Sequence, residues 1–174
     1  MDSRDLADAS ISVRPSKRQD YSAVASIYNQ AIATGGMTFH EQELSAGYIQ
    51  RWVEGFCDRE SLLVLVYNDQ ILGWGVVKRY SDRTGYRFCC ETSIYLDSAE
   101  TGKGYGSILQ KALLQKAVEL NYHHVVLKIV ASNQGSIRFH EQFGFETVGI
   151  QEEIGFTHGR WHDVAIMQLI LPAH

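Results

Sequence analysis

The order of its hydrophobic patterns restricts the fold of this chain more than any other feature of the sequence. Some segments alternate apolar and polar residues, as β-strands do, and others place apolar residues every three or four positions, as helices do. They follow one another as a strand, two helices, three strands, a helix, a strand, a helix and two strands. Because this order neither alternates strictly nor separates the two types, it favours an α+β domain around a central sheet over a doubly wound parallel sheet.

The element boundaries follow from the same periodicities and from turn residues. The predicted helices cover residues 21–32, 44–56, 108–120 and 133–143. The first of them is expected to end near Gly35 and Gly36. Ser45 is a suitable N-cap for the second helix, because its hydroxyl can accept a hydrogen bond from a free helical N–H. The predicted strands cover residues 11–15, 61–67, 71–79, 88–96 and 124–130, followed by two strands around a turn at His158 and Gly159.

Length and composition are those of one ordinary globular domain. The 174 residues are 45% hydrophobic and 21% charged, so we expect a single domain over residues 11–174 behind a flexible segment over residues 1–10. Sixteen basic and 20 acidic residues give a net charge of −4, which does not indicate a nucleic acid partner. The longest apolar run, residues 61–67, is far shorter than the roughly 20 residues that span a bilayer, so no membrane partner is expected.

The start of the chain and its cysteines predict a cytoplasmic location. The first eight residues are polar and lack the apolar stretch of a secretory signal. Cys57, Cys89 and Cys90 form no Cys-x-x-Cys pair, which fits a reducing compartment.

A glycine-rich turn joins the third strand of the middle group to the long helix. It reads Thr101-Gly-Lys-Gly-Tyr-Gly106, and glycine amides at a helix N-terminus can donate hydrogen bonds to phosphate oxygens. The spacing fits neither the P-loop nor the Gly-x-Gly-x-x-Gly pattern. On these residues alone, a phosphate-binding loop and a tight turn that needs glycine for its backbone are both open.

The same segment resembles the acetyl-CoA signature of the GNAT superfamily of N-acetyltransferases, Gln/Arg-x-x-Gly-x-Gly/Ala. The glycines match, and Thr101 stands where the signature has Gln or Arg. A second stretch, residues 133–145, resembles the family's Asn-x-x-Ser/Ala-x-x-x-Tyr/His-Glu-x-x-Gly-Phe helix. The resemblance implies a GNAT fold, a mixed sheet of about six to seven strands with about four helices, and acetyl-CoA as acetyl donor. The residues that it implies for acetyl-CoA binding are Ile94, Tyr95, Leu96, Thr101, Gly102, Lys103, Gly104, Tyr105, Gly106, Ser107, Asn133 and Ser136.

Within the superfamily, the chain resembles the phosphinothricin acetyltransferases and related L-amino acid N-acyltransferases. This likeness covers nearly all of residues 11–171 and is carried by the segments 27–31, 91–95, 138–141 and 155–163. It implies a small-molecule amine as acceptor and a homodimer.

Two residues are candidates for proton transfer. A substrate ammonium must lose a proton before it can attack a thioester, and a carboxylate or an imidazole can accept that proton. Glu91 belongs to the strand that, by the resemblance, runs beside the cofactor; its alternative is an ordinary ion pair with Arg79 or Arg87. The resemblance also implies a catalytic role for His140, as a proton relay or as the acid that protonates the leaving thiolate. The alternative for His140 is a partly exposed histidine of the helix.

A free amino acid also carries a carboxylate, for which a guanidinium group is the best-shaped partner. Arg83 and Arg87 are the predicted carboxylate ligands, with Phe39 and Tyr80 as walls of the acceptor site; the alternative is a solvated charged loop. No metal site is predicted, because the seven histidines are not joined by Cys, Asp or Glu residues at zinc-like spacing.

These residues predict direct transfer of an acetyl group from acetyl-CoA to the amine of an amino acid or an analogue such as phosphinothricin or methionine sulfoximine. A covalent acetyl-cysteine is not expected, because no cysteine occupies a motif position. Two alternatives are open. One is a different amine, such as a polyamine, an aminoglycoside or a protein N-terminus, and the other is a CoA-binding sensor module without catalysis.

Overall fold

A single seven-stranded sheet organises the chain in the computed structural model, which describes residues 11–172. Its strands are β1 (Ile11–Pro15), β2 (Ser61–Tyr67), β3 (Gln70–Arg79), β4 (Cys89–Leu96), β5 (His124–Val130), β6 (Glu146–Thr157) and β7 (Arg160–Ile170). The helices are α1 (Tyr21–Thr34), α2 (Ala46–Glu54), α3 (Tyr105–Glu119) and α4 (Gln134–Glu141). The predicted flexible segment over residues 1–10, and residues 173 and 174, lie outside the described residues.

The sheet is mixed, as expected. Its strand order is β1-β2-β3-β4-β5-β7-β6, and every neighbouring pair is antiparallel except β4 with β5, which is parallel. This architecture confirms the predicted α+β class and the seven strands with four helices. None of the helices within residues 11–172 is long and apolar enough to cross a bilayer.

One helix begins earlier than its periodicity predicted. The α3 helix begins at Tyr105 and not near residue 108, because Gly104 itself occupies the N-cap position with a φ of 85°. Only glycine takes such a left-handed backbone without a steric cost. The turn is therefore completed within the glycine loop, and Gly106 already belongs to the first helical turn.

The two faces of the sheet carry separate hydrophobic cores. Alternation along β2 sends Leu63 and Leu65 towards α3, while Leu62, Val64 and Val66 face α1 and α2. Such fully buried side chains each stabilise the fold by about 1.5–3 kcal/mol. Two layers of helices thus hold the middle of the sheet rigidly from both sides.

The parallel pair β4 and β5 separates after only three residue pairs. Cys89, Cys90 and Glu91 pair with residues 124–126, after which β4 continues beside β3 alone and β5 beside β7. The sheet therefore opens at its centre, just beyond Glu91. Backbone N–H and C=O groups of β4 that would pair with a neighbouring strand face this opening, and such groups need partners.

Candidate active site

A cavity of about 550 Å³ occupies the opening between β4 and β5, and we call it the donor cleft. Many of the residues that the sequence assigned to acetyl-CoA line it, namely Ile94, Tyr95, Leu96, Thr101, Gly102, Gly106, Asn133 and Ser136. The other four, Lys103, Gly104, Tyr105 and Ser107, belong to the same loop and the first turn of α3 but do not line the cavity. The glycine loop and α4 thus meet at one site.

The glycine loop has the backbone geometry of an anion cradle. Gly102 and Gly104 have φ values of 75° and 85°, and a Cβ added at either would meet nothing within 4 Å. Among the described residues, no backbone carbonyl accepts the N–H groups of residues 102–106. These amides stand at the N-terminus of a 15-residue helix, where negative charge is favoured. The site therefore fits a phosphorylated ligand such as the pyrophosphate of a coenzyme.

Thr101 and Lys103 use their side chains within the loop. The Thr101 hydroxyl donates a hydrogen bond to the Ser98 carbonyl at 3.1 Å, and the Lys103 ammonium lies 3.1 Å from the Glu100 carboxylate. The Thr101 side chain is thereby bound within the turn. The loop leaves anion binding mainly to its amides.

The α4 helix brings Asn133 and His140 to the donor cleft. Asn133 caps the helix, as its Oδ1 accepts the Ser136 N–H at 3.2 Å. His140 is buried, with 3% of its surface exposed, so the alternative of a partly exposed histidine is wrong. Its Nδ1 lies 2.8 Å from the Ser136 carbonyl oxygen. Because a carbonyl only accepts, Nδ1 carries the proton and Nε2 keeps a free lone pair.

The free nitrogen of His140 has no hydrogen-bond partner among the described residues, although it is buried. Burial also lowers the pKa of His140 below its ordinary value, since a charged imidazolium would be poorly solvated there. The side chain is therefore a neutral imidazole ready to accept a proton at Nε2.

A second, smaller cavity of about 220 Å³ adjoins the donor cleft, and we call it the aromatic cavity. Ser93 and Tyr95 line both cavities, so the two meet along β4. Its wall comes from α1, α2, β3, β4 and the loop between the helices, and comprises Tyr28, His40, Leu44, Tyr48, Ile49, Trp52, Trp74, Val76, Lys78, Glu91, Ser93 and Tyr95. The Trp74 and Tyr95 rings lie 4.8 Å apart, and Tyr28 packs edge-on against Tyr95 at 4.9 Å.

Glu91 lines the aromatic cavity, two residues before Ser93, where the two cavities meet. Its Oε2 is 2.7 Å from Nζ of Lys128, a residue of β5 that lines the donor cleft. The expected alternative partners of Glu91 are wrong. Arg79 pairs with Asp82 at 2.9 Å, and Arg87 donates to the Thr84 carbonyl at 3.1 Å. The Glu91 carboxylate is thus held by a lysine on the strand across the opening.

The predicted acceptor residues line neither cavity. Arg83 precedes the short 3₁₀ turn Thr84–Tyr86, Arg87 stacks on Phe88 and Tyr80 stacks on Tyr86. Phe39 covers Gly155 of β6, where an added Cβ would clash with its ring. Acceptor binding by Phe39, Tyr80, Arg83 and Arg87 therefore stays a prediction.

Sequence reasoning missed two lysines at the site, Lys78 and Lys128. Lys78 directly follows the apolar run Trp74-Gly-Val-Val, and Lys128 interrupts the apolar strand His124-Val-Val-Leu-Lys-Ile-Val. A lysine within or next to a buried strand was the available signal. Within residues 11–172, no group of three or more His, Cys, Asp or Glu side chains is arranged to hold a metal ion.

Comparison with known proteins decides the family. Residues 13–166 match the acetyltransferase (GNAT) domain. The chain belongs to the GNAT family. It is accordingly an N-acetyltransferase.

Relatives with and without solved structures agree with this assignment. An L-methionine sulfoximine/L-methionine sulfone acetyltransferase of Pseudomonas paraeruginosa is 30% identical over 93% of this chain and 95% of that protein. A phosphinothricin acetyltransferase of Sinorhizobium meliloti, solved in complex with acetyl-CoA, has a TM-score of 0.87 and 28% identity over 92% of this chain and 88% of its own. A ribosomal-protein-alanine N-acetyltransferase of Brucella melitensis has a TM-score of 0.88 and 30% identity, over 91% and 99% of the two chains.

Proposed function

We propose that this GNAT enzyme transfers the acetyl group of acetyl-CoA to the amine of a small amino acid or an analogue of the phosphinothricin and methionine sulfoximine type. The observation that carries this proposal is the junction of the two cavities at Ser93 and Tyr95, next to Glu91 on the same strand. One cavity has an anion cradle suited to a coenzyme, and the other is smaller and mostly apolar, with Lys78 and Glu91 as charged residues in its lining. An amine in the aromatic cavity would face the donor cleft.

Each part of the donor cleft has a distinct task in this proposal. The glycine-loop amides bind the pyrophosphate, and the free backbone groups of Ile94, Tyr95 and Leu96 pair with the pantetheine arm. Ser136 and Asn133 border the same arm from α4. Bound acetyl-CoA supplies a thioester, which is an electrophile that an amine can attack directly.

Glu91 and His140 move the proton in this proposal. The Glu91 carboxylate, at the rim of the aromatic cavity, accepts a proton from the acceptor ammonium, directly or through water. As the amide forms and the C–S bond breaks, His140, with Nε2 unprotonated, takes the second proton that the attacking nitrogen loses and gives it to the thiolate of CoA. The tautomer thus favours the relay role over that of an acid that starts out protonated.

The cysteines support direct transfer. Cys90 is fully buried, and burial raises the pKa of its thiol to about 12. Burial also raises the pKa of Cys89. Because the thiolate is the nucleophilic form, neither residue is suited to carry the acetyl group.

The test is turnover on a panel of amines. Purified protein is mixed with acetyl-CoA and amino acids, phosphinothricin, methionine sulfoximine or polyamines, and release of free thiol is followed. We expect release with amines that bear a carboxylate. Acetyl-CoA binding without turnover on any amine would instead favour a sensor module. An unchanged rate in a Glu91→Gln, His140→Ala double variant would remove both residues from the mechanism.

A protein N-terminus is the second candidate acceptor, because one structural neighbour is named a ribosomal-protein-alanine N-acetyltransferase. The aromatic cavity argues against it, since about 220 Å³ holds roughly seven waters and thus a molecule of amino acid size. Peptides that begin with Ala belong in the same panel. Faster turnover of such peptides than of free amino acids would reverse our preference.

The hairpin of β6 and β7 supports the proposed homodimer. Strand β6 is an edge strand, and half or more of the surface is exposed at Val148, Ile150, Ile154, Phe156 and Trp161. Phe156 and Trp161 form a cross-strand pair with ring centroids 4.9 Å apart. Exposed apolar residues on a free edge favour association with a second copy. We expect a dimer by light scattering and a monomer for Trp161→Lys, whereas a monomeric wild type would contradict this assignment.

A further inference from the structure

Lys78 and Glu91 place opposite charges side by side in the aromatic cavity. They are register partners on the antiparallel strands β3 and β4, and both line the cavity. Directly opposite residues on one face of such a pair have Cβ atoms about 4.5–5.5 Å apart. The ammonium and carboxylate of an α-amino acid are neighbouring groups as well, so the pair presents charges in a complementary arrangement.

The Lys78 ammonium has donors to spare. It lies 3.1 Å from Oε1 of Glu60 and 4.3 Å from the centroid of the Phe56 ring. Glu60 also accepts the backbone N–H groups of Cys57 at 3.0 Å and Arg79 at 3.1 Å. An ammonium carries three donors, so the contact with Glu60 takes one of them, holds the Lys78 side chain in place and leaves two donors for a ligand.

The remaining wall of the cavity is apolar and aromatic. Tyr28, Trp52, Trp74 and Tyr95 surround it, and Trp52 packs edge-on against Trp74 at 6.1 Å. Among residues 11–172, its lining includes no Lys, Arg, Asp or Glu besides Lys78 and Glu91, and its other polar residues include His40 and Ser93. A ligand with charges beyond one carboxylate and one ammonium would leave them without partners in this wall, which is costly.

We propose that Lys78 binds the α-carboxylate of an amino acid whose large apolar side chain, aromatic or thioether, lies against the rings of the aromatic cavity. The proposal rests on the proposed function, because it places the amine of the same molecule beside Glu91. It assigns recognition of the carboxylate to Lys78 instead of the predicted ligands Arg83 and Arg87. It also narrows the substrate class to amino acids with large apolar side chains and disfavours phosphinothricin, whose phosphinate adds a third charge.

The test compares phenylalanine and methionine with phenethylamine and 3-(methylthio)propylamine, which lack the carboxylate. A hydrogen bond to a charged group is worth about 10- to 100-fold in affinity. Lys78→Met should therefore raise KM for the two amino acids by about that factor, with kcat little changed and KM for the two amines unaffected. Lys78→Arg should restore most of the affinity. Wild-type enzyme should also prefer phenylalanine to alanine and glutamate.

Three comparisons keep the outcomes separate. Turnover of the amines by Lys78→Met shows that this variant is folded, and Lys111→Met, an exposed lysine of α3, controls for loss of a surface charge. Inhibition by 3-phenylpropionate, which has the carboxylate but no amine, should be strong in wild type and lost in Lys78→Met.

Two results would overturn the assignment to Lys78. One is an equal rise in KM for amino acids and amines in Lys78→Met, and the other is selective loss of amino acids in Arg83→Gln or Arg87→Gln. If wild-type enzyme acetylates no amino acid at all, the proposed function itself fails. If it acetylates amino acids but Lys78→Met behaves like wild type, only the assignment to Lys78 fails.

Discussion

The donor cleft and the aromatic cavity share β4 but are built in different ways. The donor cleft relies on backbone groups of the glycine loop and of β4 and on side chains of α4, at the place where β4 and β5 separate. The aromatic cavity uses side chains from five parts of the fold, and its charged residues come from different strands. The donor cleft can therefore be recognised from motifs in the sequence. The residues of the aromatic cavity are brought together only by folding.

This difference has a functional consequence. Backbone amides suit a ligand that is the same for every acceptor, and their position depends on the turn more than on its side chains. Side chains that meet from distant segments can change one at a time. We expect donor affinity and acceptor choice to be separable, and the following changes test this, from the largest effect to the smallest.

Glu91→Gln should lower kcat about 10³-fold, within the range for loss of a general base. Affinity for acetyl-CoA, measured by calorimetry, should stay within about twofold, because Glu91 lines the aromatic cavity and not the donor cleft. Equal losses in donor affinity and in turnover would contradict the separation of the two regions.

His140→Gln should lower kcat about 10²-fold and change the dependence of kcat on pH. Burial lowers the pKa of His140, so in wild type the acidic limb lies below the ordinary value of 6.5. The limb should disappear in the variant. An acidic limb that persists unchanged would assign it to another group.

The lowered pKa of His140 also determines how the stability of the protein depends on pH. Below pH 6.5 the unfolded chain binds a proton at His140 that the folded chain does not. The free energy of unfolding therefore decreases as the pH decreases, until the lower pKa of the folded state is reached. Wild type should lose more thermal stability than His140→Gln between pH 7 and pH 5, and an equal loss in both proteins would argue against the shift.

Gly104→Val should weaken acetyl-CoA binding about 10- to 100-fold, because a β-branched residue disfavours the φ of 85° and misplaces the amides. The affinity of 3-phenylpropionate should not change. Gly149→Val is the matched control, since an added Cβ there meets nothing within 4 Å and φ is not positive. Loss of inhibitor affinity in Gly104→Val would show that the two regions are coupled.

Gly75→Ala tests the scaffold under both regions. A Cβ at Gly75 would lie 2.5 Å from Cδ1 of Leu113, which is fully buried. Overpacking of this kind lowers the free energy of unfolding by about 1–3 kcal/mol. Urea denaturation should show this loss, and none for Gly85→Ala, where an added Cβ meets nothing within 4 Å. An unchanged stability would mean that β3 and α3 adjust to the added methyl group.

Much of the fold and of the donor cleft was predictable because the signals are local. Periodicity gave the order of the elements, and Ser45 and Asn133 cap their helices as expected, with the Ser45 hydroxyl 3.1 Å from the Tyr48 N–H. The glycine loop could be predicted from its own residues alone. The boundary of α3 was missed because helical periodicity does not register the first turn, where glycines stand at 104 and 106.

The acceptor side was predicted less well because its contacts are long-range. Arg83 and Arg87 have the right chemistry, but the 3₁₀ turn at residues 84–86 and the stacking on Phe88 engage that loop locally. Lys78 lies only five residues earlier along the chain. The register of β3 with β4, and not sequence distance, brought it beside Glu91.

By itself, the sequence determined the α+β class, the glycine cradle and the two motifs of the family, since each depends on residues within one turn or one strand of each other. Only the tertiary structure decided that β4 and β5 separate after Glu91, that Lys128 and not an arginine pairs with this carboxylate at 2.7 Å, and that Lys78 completes the aromatic cavity. Those features depend on how strands pair and how helices pack across a sheet. Side-chain partners far apart in the chain are chosen by that packing.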